Sequence, residues 1–238
     1  MTLKQRLGQM VFPRLPVTRF LFDILRDEAT ACVVRAKNAW LPWRRTRLRG
    51  VCEMRDAYVN VACGPQVLAG FVNLDLRHED PDVIEWDSRR RLPIGDGGAR
   101  GIRAEQFVEH LETREELPAF LADCRRALAP GGTLRIIVPD AERYLKAYCR
   151  GDLQGFRDLE VPDPFPDDLP TRMDVINHVF HQWHEHRWAY DFETLEHRLR
   201  AAGFDRVERA GYQSSRDPKL GQDRDVHAAY SLYVEATT

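Results

Sequence analysis

From Ala57 onward, short apolar runs alternate with turns and amphipathic stretches, and this alternation constrains the fold most. Tyr58–Ala62, Phe71–Leu76, Asp82–Trp86 and Gly101–Phe107 read as four successive strands, the last interrupted by Arg103 and Glu105. Glu115–Leu128 then carries Leu117, Phe120, Leu121, Cys124 and Leu128 at helical spacing and stops at Pro130-Gly131-Gly132. Thr133–Val138 is strongly apolar, as a central strand buried on both faces would be. Phe192–Ala202 is a second amphipathic helix ended by Gly203, and Asp205–Ala210 and Ala228–Ala236 are the expected last strands. The pattern predicts a doubly wound α/β domain with a seven-stranded, mostly parallel sheet and helices on both faces. Ligands of such sheets bind at the carboxyl ends of the strands, so the residues just after each strand are where chemistry is expected.

The first fifty residues differ in character. Phe20, Leu21, Ile24 and Leu25, then Ala31, Cys32 and Val34, recur at helical spacing, punctuated by Pro13, Pro16 and Pro42. Residues 1–50 hold eleven Lys/Arg and three Asp/Glu, a net charge of +8, which leaves −10 on residues 51–238. A basic helical extension on an acidic body suits an anionic partner, either nucleic acid or a membrane surface. It equally suits a helical face that docks on its own domain, the preferred reading. Nucleic acid is therefore not the expected partner, while peripheral membrane contact through residues 1–50 stays open.

No apolar run approaches the roughly 20 residues of a membrane span, and the first ten residues do not read as a secretory signal. The five cysteines are scattered without a CxxC pair, which argues against disulfides or structural zinc and favours a reducing, cytoplasmic location.

The first strand end carries Ala62-Cys63-Gly64-Pro65, and Asp75 ends the next strand eleven positions after Gly64. A carboxylate there can accept two hydrogen bonds from a ribose diol. A dinucleotide site needs a full helix between glycine and acid, about 20 residues, and this interval leaves no room for one. A nucleoside ligand without phosphates suits the spacing better. Asp87 follows the third strand and can meet the exocyclic amine of adenine or cap a turn. Glu105, Gln106, Glu109 and His110 follow the fourth; Glu105 is expected at the mouth of the sheet near a reacting centre, while Glu109 and His110 fall on a following helix where they cap or pack.

Several runs together carry a resemblance: Val59–Leu76, with its step Gly70-Phe71-Val72-Asn73-Leu74-Asp75; Asp87 with Leu92-Pro93; Glu105–Leu111; Arg126–Arg135; His186, Tyr190-Asp191, Leu195 and Ala202-Gly203-Phe204; and Ser231–Ala236. In this order and spacing residues 57–238 resemble the class I S-adenosylmethionine-dependent methyltransferases, with their Rossmann-like fold, and within them a bacterial branch with a shortened first loop. The resemblance implies that Ala62, Cys63, Gly64 and Pro65 lie against the methionine part of the cofactor and that Asp75 holds the ribose. It further implies that Leu76 packs on adenine, that Asp87 meets the adenine edge, and that Glu105 and Gln106 lie near the methionine end and the substrate. Four positions depart from the family pattern: Asn60 where most members have an acid, Ala62 and Gln66 where many have glycine, and Gln106 where relatives often have histidine.

His178, His181, His184 and His186 are interleaved with Phe180, Trp183 and Trp188. A helix would bring the first three to one face. A metal site is one reading, but HExxH is missing and no cysteine is near, so none is expected. A general base for methyl transfer to a hydroxyl is another, with His186 and His184 preferred and Glu105 beside them. Aromatic packing is the third. Residues 151–180, with Pro162, Pro164, Pro166 and Pro170, read as an extended insertion over the site. Asp140, Tyr144 and His181 are expected on the substrate wall.

The expected function is methyl transfer from S-adenosylmethionine to a small-molecule or saccharide hydroxyl. Two alternatives are a non-catalytic scaffold retaining the fold and an RNA methyltransferase using the basic arm.

Overall fold

The computed structural model describes residues 18–151, 154–159 and 169–238. Pro162, Pro164 and Pro166 of the expected insertion lie outside the described residues. The chain opens with two helices, α1 (Arg19–Trp40) and α2 (Pro42–Glu53). Thr18 caps α1 through its side chain, which accepts from Leu21 N, and such a cap contributes about 1 kcal/mol. Pro42 starts α2 at a position where a missing N–H costs nothing. Val51 of α2 is buried in the main core.

The sheet consists of β1 (Ala57–Val61), β2 (Val72–Asp75), β3 (Ile84–Glu85), β4 (Ala99–Glu105), β5 (Leu128–Pro139), β6 (Arg206–Ala210) and β7 (Ser231–Thr237). Their order is β3-β2-β1-β4-β5-β7-β6, with every pairing parallel except those of β7. The expected seven-stranded, mostly parallel sheet is thus present. The third strand is shorter than expected. The fifth is longer, because it begins at Leu128 and takes in Pro130-Gly131-Gly132.

The strand period of two sorts the sheet into two chemically different faces. Val72, Val59, Ile102, Leu134 and Ala236 pair in one row across five strands. Two helices close over this apolar face: α3 (Glu116–Ala127) through Leu117, Phe120, Leu121 and Cys124, and the later helix Phe192–Ala201 through Leu195 and Leu199. The adjoining row reads Asn73, Asn60, Arg103, Arg135 and Glu235. Here the cover is the segment 211–228, with 3-10 turns at Pro218–Leu220 and Asp225–His227. Leu220 packs so tightly on Gly101 that a Cβ there would stand 3.0 Å from Leu220 Cδ2 and from Tyr58 Cδ1.

Arg103 and Arg135 are fully buried on this polar face. Arg135 donates to Asp223 (Nε–Oδ1 3.0 Å), to Glu235 (2.8 Å) and to the carbonyls of Gly211 and Ser214. Arg103 donates to Gln66 (2.9 Å) and to Glu105. Removing one partner from a buried pair of this kind costs about 3–5 kcal/mol. The polar row therefore fixes how the 211–228 segment seats.

After β5 the chain forms α4 (Ala141–Arg150), α5 (Gln154–Arg157) and α6 (Arg172–His181). These share a separate core of Tyr144, Ala147, Phe156, Val175 and Ile176. The last helix, α7 (Phe192–Ala201), leads into β6. No helix of the described residues is long and apolar enough to cross a membrane.

Candidate functional site

Ten residues join β1 to β2 without a helix, so side chains hold the loop. Asn60 donates to Gln66 O (2.8 Å) and to Asn73 Oδ1 (3.0 Å). Asn73 in turn accepts from Leu68 N and donates to Leu68 O. Gln66 donates from Nε2 to Gln222 O and accepts from Arg103 at Oε1. Two of the departures from the family pattern thus have structural roles here: an acid at 60 has no proton to donate, and a glycine at 66 has no side chain to bridge the loop to the polar face.

At the loop's start Ala62 and Gly64 both take left-handed φ, each +50°. Gly64 N donates to Asp75 Oδ2 at 2.9 Å, and Arg77 N donates to Oδ1 at 3.0 Å. His78 Nε2 donates to Gly64 O at 2.9 Å. The carboxylate at the tip of β2 and the bend at the tip of β1 are in direct contact.

Beside them lies a cavity of about 630 Å³, lined on the sheet side by Ala62, Asp75, Leu76, Trp86, Asp87, Gln106 and Phe107. Its other wall comes from α1, with Asp23, Arg26 and Glu28, and from His110, His184 and Arg187. A wider groove of about 930 Å³ runs on the other side of the loop, between Gly64, Pro65, Arg77 and His78 and the α1 residues Ala29 and Val33. The smaller cavity is the candidate site, because four strand ends and a helix converge on it.

Charges of both signs seat α1 and α2. Arg77 bonds Asp27 (3.0 Å) and Thr30, and Arg89 bonds Glu28. Arg35 reaches Asp87 at 3.4 Å, Arg44 pairs with Glu85, and Arg47 donates to the carbonyls of Pro81 and Asp82. Asp87 is 4% exposed and shares its two oxygens between Arg89 and Arg35.

The predicted site residues divide clearly. Ala62, Asp75, Leu76, Asp87, Gln106 and His184 meet in the cavity, and Gly64 and Pro65 border the adjoining groove. Cys63 lines neither. Its thiol is buried, and burial together with the charge of Asp75 pushes it up to about 12. Glu105 points to the polar face, where it bonds Arg103 and His227 Nδ1 (2.7 Å). Burial raises its pKa, but these partners outweigh that and hold it below 4.5. Asp140 caps α4 through Glu142 N, and burial raises its carboxyl. Tyr144 belongs to the second core, and His181 is exposed at the end of α6.

The expected histidine face does not form. The helix α6 stops at His181 because Gln182 turns left-handed (φ +35°), and His184 sits in a 3-10 turn with φ +77°. His186 is buried; its Nδ1 donates to Val179 O at 2.7 Å, and burial lowers its pKa to about 4. It packs edge-on against His110 with ring centroids 5.0 Å apart. Glu109 and His110 fall on a 3-10 turn, Val108–His110, in place of a longer helix. Burial pushes the Glu109 carboxyl up to about 8 and lowers the His110 imidazole.

The residues sequence reasoning missed are those of α1, together with Trp86, Arg89 and Arg187, while His110, expected to cap or pack, also lines the cavity. The charge alternation Asp23, Arg26, Asp27, Glu28 was a usable signal, since a face of both signs needs partners of both signs.

Three observations suit a small-molecule ligand at these strand tips. The cavity volume lies within the roughly 300–1,000 Å³ of small-molecule sites. Gly64 has nothing within 4 Å of an added Cβ, which leaves the bend open to a ligand. Trp86 Nε1 and Ser88 Oγ, from residues lining the cavity, are buried without a hydrogen-bond partner among the described residues.

No family model matches the chain, and no curated protein matches it significantly. Among solved structures, a SAM-dependent methyltransferase from Archaeoglobus fulgidus is similar at 15% identity over 92% of this chain and 100% of that one, with a TM-score of 0.47. The 1,6-didemethyltoxoflavin-N1-methyltransferase of Burkholderia thailandensis, solved with 1,6-didemethyltoxoflavin and S-adenosylhomocysteine, is similar at 14% identity over 94% and 91%, with a TM-score of 0.45. A methyltransferase from Mesorhizobium loti is similar at 14% over 81% and 96%, with a TM-score of 0.44. These similarities concern overall layout. Six strands running one way, a seventh reversed between β5 and β6, and a cleft at the strand tips give this chain a doubly wound, Rossmann-like fold.

Proposed function

We propose that this chain is an S-adenosylmethionine-dependent methyltransferase acting on a hydroxyl of a small molecule, with a saccharide as the favoured acceptor class. The Gly64–Asp75 contact beside a ligand-sized cavity carries this reading. Asp75 would hold the ribose diol with lone pairs left by Gly64 N and Arg77 N. Leu76 and Trp86 would flank the base, and Ala62 and Gln106 would border the methionine end. The bound cofactor supplies an electrophilic methyl group on a positively charged sulfur.

The chain's own task is then to align an acceptor oxygen, exclude water and remove a proton. His184, one of the two histidines on the cavity wall, would take that proton. Helix α1 forms the opposite wall of the cavity. A nucleic-acid acceptor has less support, because Arg35, Arg44 and Arg47 of the basic arm are turned onto the domain itself. Asn60 and Gln66, two of the residues behind the scaffold alternative, have the loop-holding roles described above.

Calorimetric titration with S-adenosylmethionine and S-adenosylhomocysteine tests the reading. Asp75→Ala should weaken both at least about tenfold, or 1.4 kcal/mol. Unchanged affinity would move the nucleoside elsewhere. His184→Ala should leave that affinity intact while slowing turnover of a hydroxyl acceptor.

A further inference from the structure

Glu109 and His110 close the 3-10 turn after β4, and His186 arrives from the segment after α6. Backbone bonds stitch the two together: Arg187 N (2.8 Å) and Trp188 N (3.3 Å) both donate to Glu109 O. One potential ligand atom from each of Glu109, His110 and His186 lies within 4.8 Å of the other two.

The local hydrogen bonds fix what these groups can offer. His110 Nδ1 contacts Glu185 O at 3.0 Å, and His186 Nδ1 contacts Val179 O at 2.7 Å. A carbonyl only accepts, so each Nδ1 carries the proton and each Nε2 presents a lone pair. Metal-bound histidines characteristically donate their other ring N–H in this way. Glu109 is 1% exposed, and neither carboxylate oxygen has a partner among the described residues. With the Glu109 carboxyl ionised, as metal binding requires, all three groups are acceptors, and no donor bonds the Glu109 oxygens among the described residues. Further hydrogen-bond acceptors cannot satisfy them, whereas one cation satisfies all three groups at once.

We propose that Glu109, His110 and His186 bind one divalent transition-metal ion at the rim of the cleft. Two imidazoles and one carboxylate suit Zn²⁺, Fe²⁺ or Co²⁺, and three protein ligands leave coordination positions open. Bonds of about 2.0–2.2 Å require ligand atoms about 3.3 Å apart, so modest side-chain rotations close the site. The absence of HExxH pointed away from metal, but these ligands come from two segments distant in sequence. His110 also lines the cavity, so the ion borders it. Coordinating and acidifying an acceptor hydroxyl is the role this placement suits, and that role alone rests on the methyl-transfer reading.

The test uses the full chain, stripped with a chelator and titrated with Co²⁺ alone. One Co²⁺ per chain with a visible absorption band, displaced by Zn²⁺, is the expected result. Glu109→Gln and His110→Ala should each weaken Co²⁺ binding at least about tenfold, while His181→Ala leaves it unchanged. Zn²⁺ should raise the melting temperature of the wild type and not that of Glu109→Gln. Absence of a stoichiometric Co²⁺ band in the wild type overturns the proposal, as does binding that survives both substitutions. The wild-type spectrum decides even where a variant fails to fold. S-adenosylhomocysteine affinity, measured beside the Co²⁺ titration, separates the two readings: if the nucleoside binds and Co²⁺ does not, only the metal site falls, and if Co²⁺ binds and the nucleoside does not, only the methyltransferase reading falls.

Discussion

The backbone amide of Gly64 donates to the Asp75 carboxylate at 2.9 Å, which joins the tips of two neighbouring parallel strands. Both residues are set by local sequence, yet their contact depends on the register of β1 against β2. The bond works only while Gly64 keeps φ +50°, a conformation that costs other L-residues about 1–2 kcal/mol. Gly64→Ala has open space for its methyl group. It should therefore lower stability by about that amount, and the melting temperature by roughly 2–8 °C. An unchanged melting temperature would show that the loop is held by other bonds.

Asn60→Asp restores the acid of the family pattern and should nevertheless be severely destabilising in this chain. It removes donors to Gln66 O and Asn73 Oδ1 and places a carboxylate, 2% exposed, against both acceptors. A loss of about 2–4 kcal/mol is expected in urea unfolding at neutral pH. Lowering the pH should recover part of it, since the protonated acid can donate one bond.

Glu105 gives a pH signature of opposite origin to simple burial. Burial raises its pKa, but His227, Arg103 and Arg224 N outweigh it, so the folded value lies below the ordinary 4.5. The folded state then binds this proton more weakly than the unfolded state. Its contribution is complete above 4.5 and is lost as pH falls through the folded value. Denaturant unfolding from about pH 6 to about pH 3 should show this slope, and Glu105→Gln should flatten it. Equal slopes in both proteins would remove Glu105 from the account.

The cysteines divide by burial. Cys32, Cys52 and Cys149 are exposed, whereas Cys63 and Cys124 are buried with raised thiol pKa values. Titration with a chromogenic disulfide at about pH 8 should give three fast thiols and two that react only on unfolding. A fourth fast thiol, at Cys63, would mean that the Ala62–Pro65 bend opens freely.

The strand pattern, the two helices over the apolar face, and the Gly64 and Asp75 positions were legible in the sequence. Each is set by neighbours a few residues away: alternation, helical spacing, a turn residue. The histidine face failed for a local reason as well, since the left-handed Gln182 ends the helix before His184 is reached. Glu105 was misplaced because the strand period turns it toward Arg103 on the polar face, not into the cavity.

By itself the sequence determined which segments become strands and which strand tips carry a bend and an acid, because those choices depend on short-range sterics and hydrophobic periodicity. Only the tertiary structure decided what those tips face. The docking of α1 across the cleft, the pairing of Arg103 with Glu105, and the meeting of Glu109 and His110 with His186 all join residues far apart in the chain. Such contacts form when the sheet register and the helix seats are fixed together, and no local pattern encodes them.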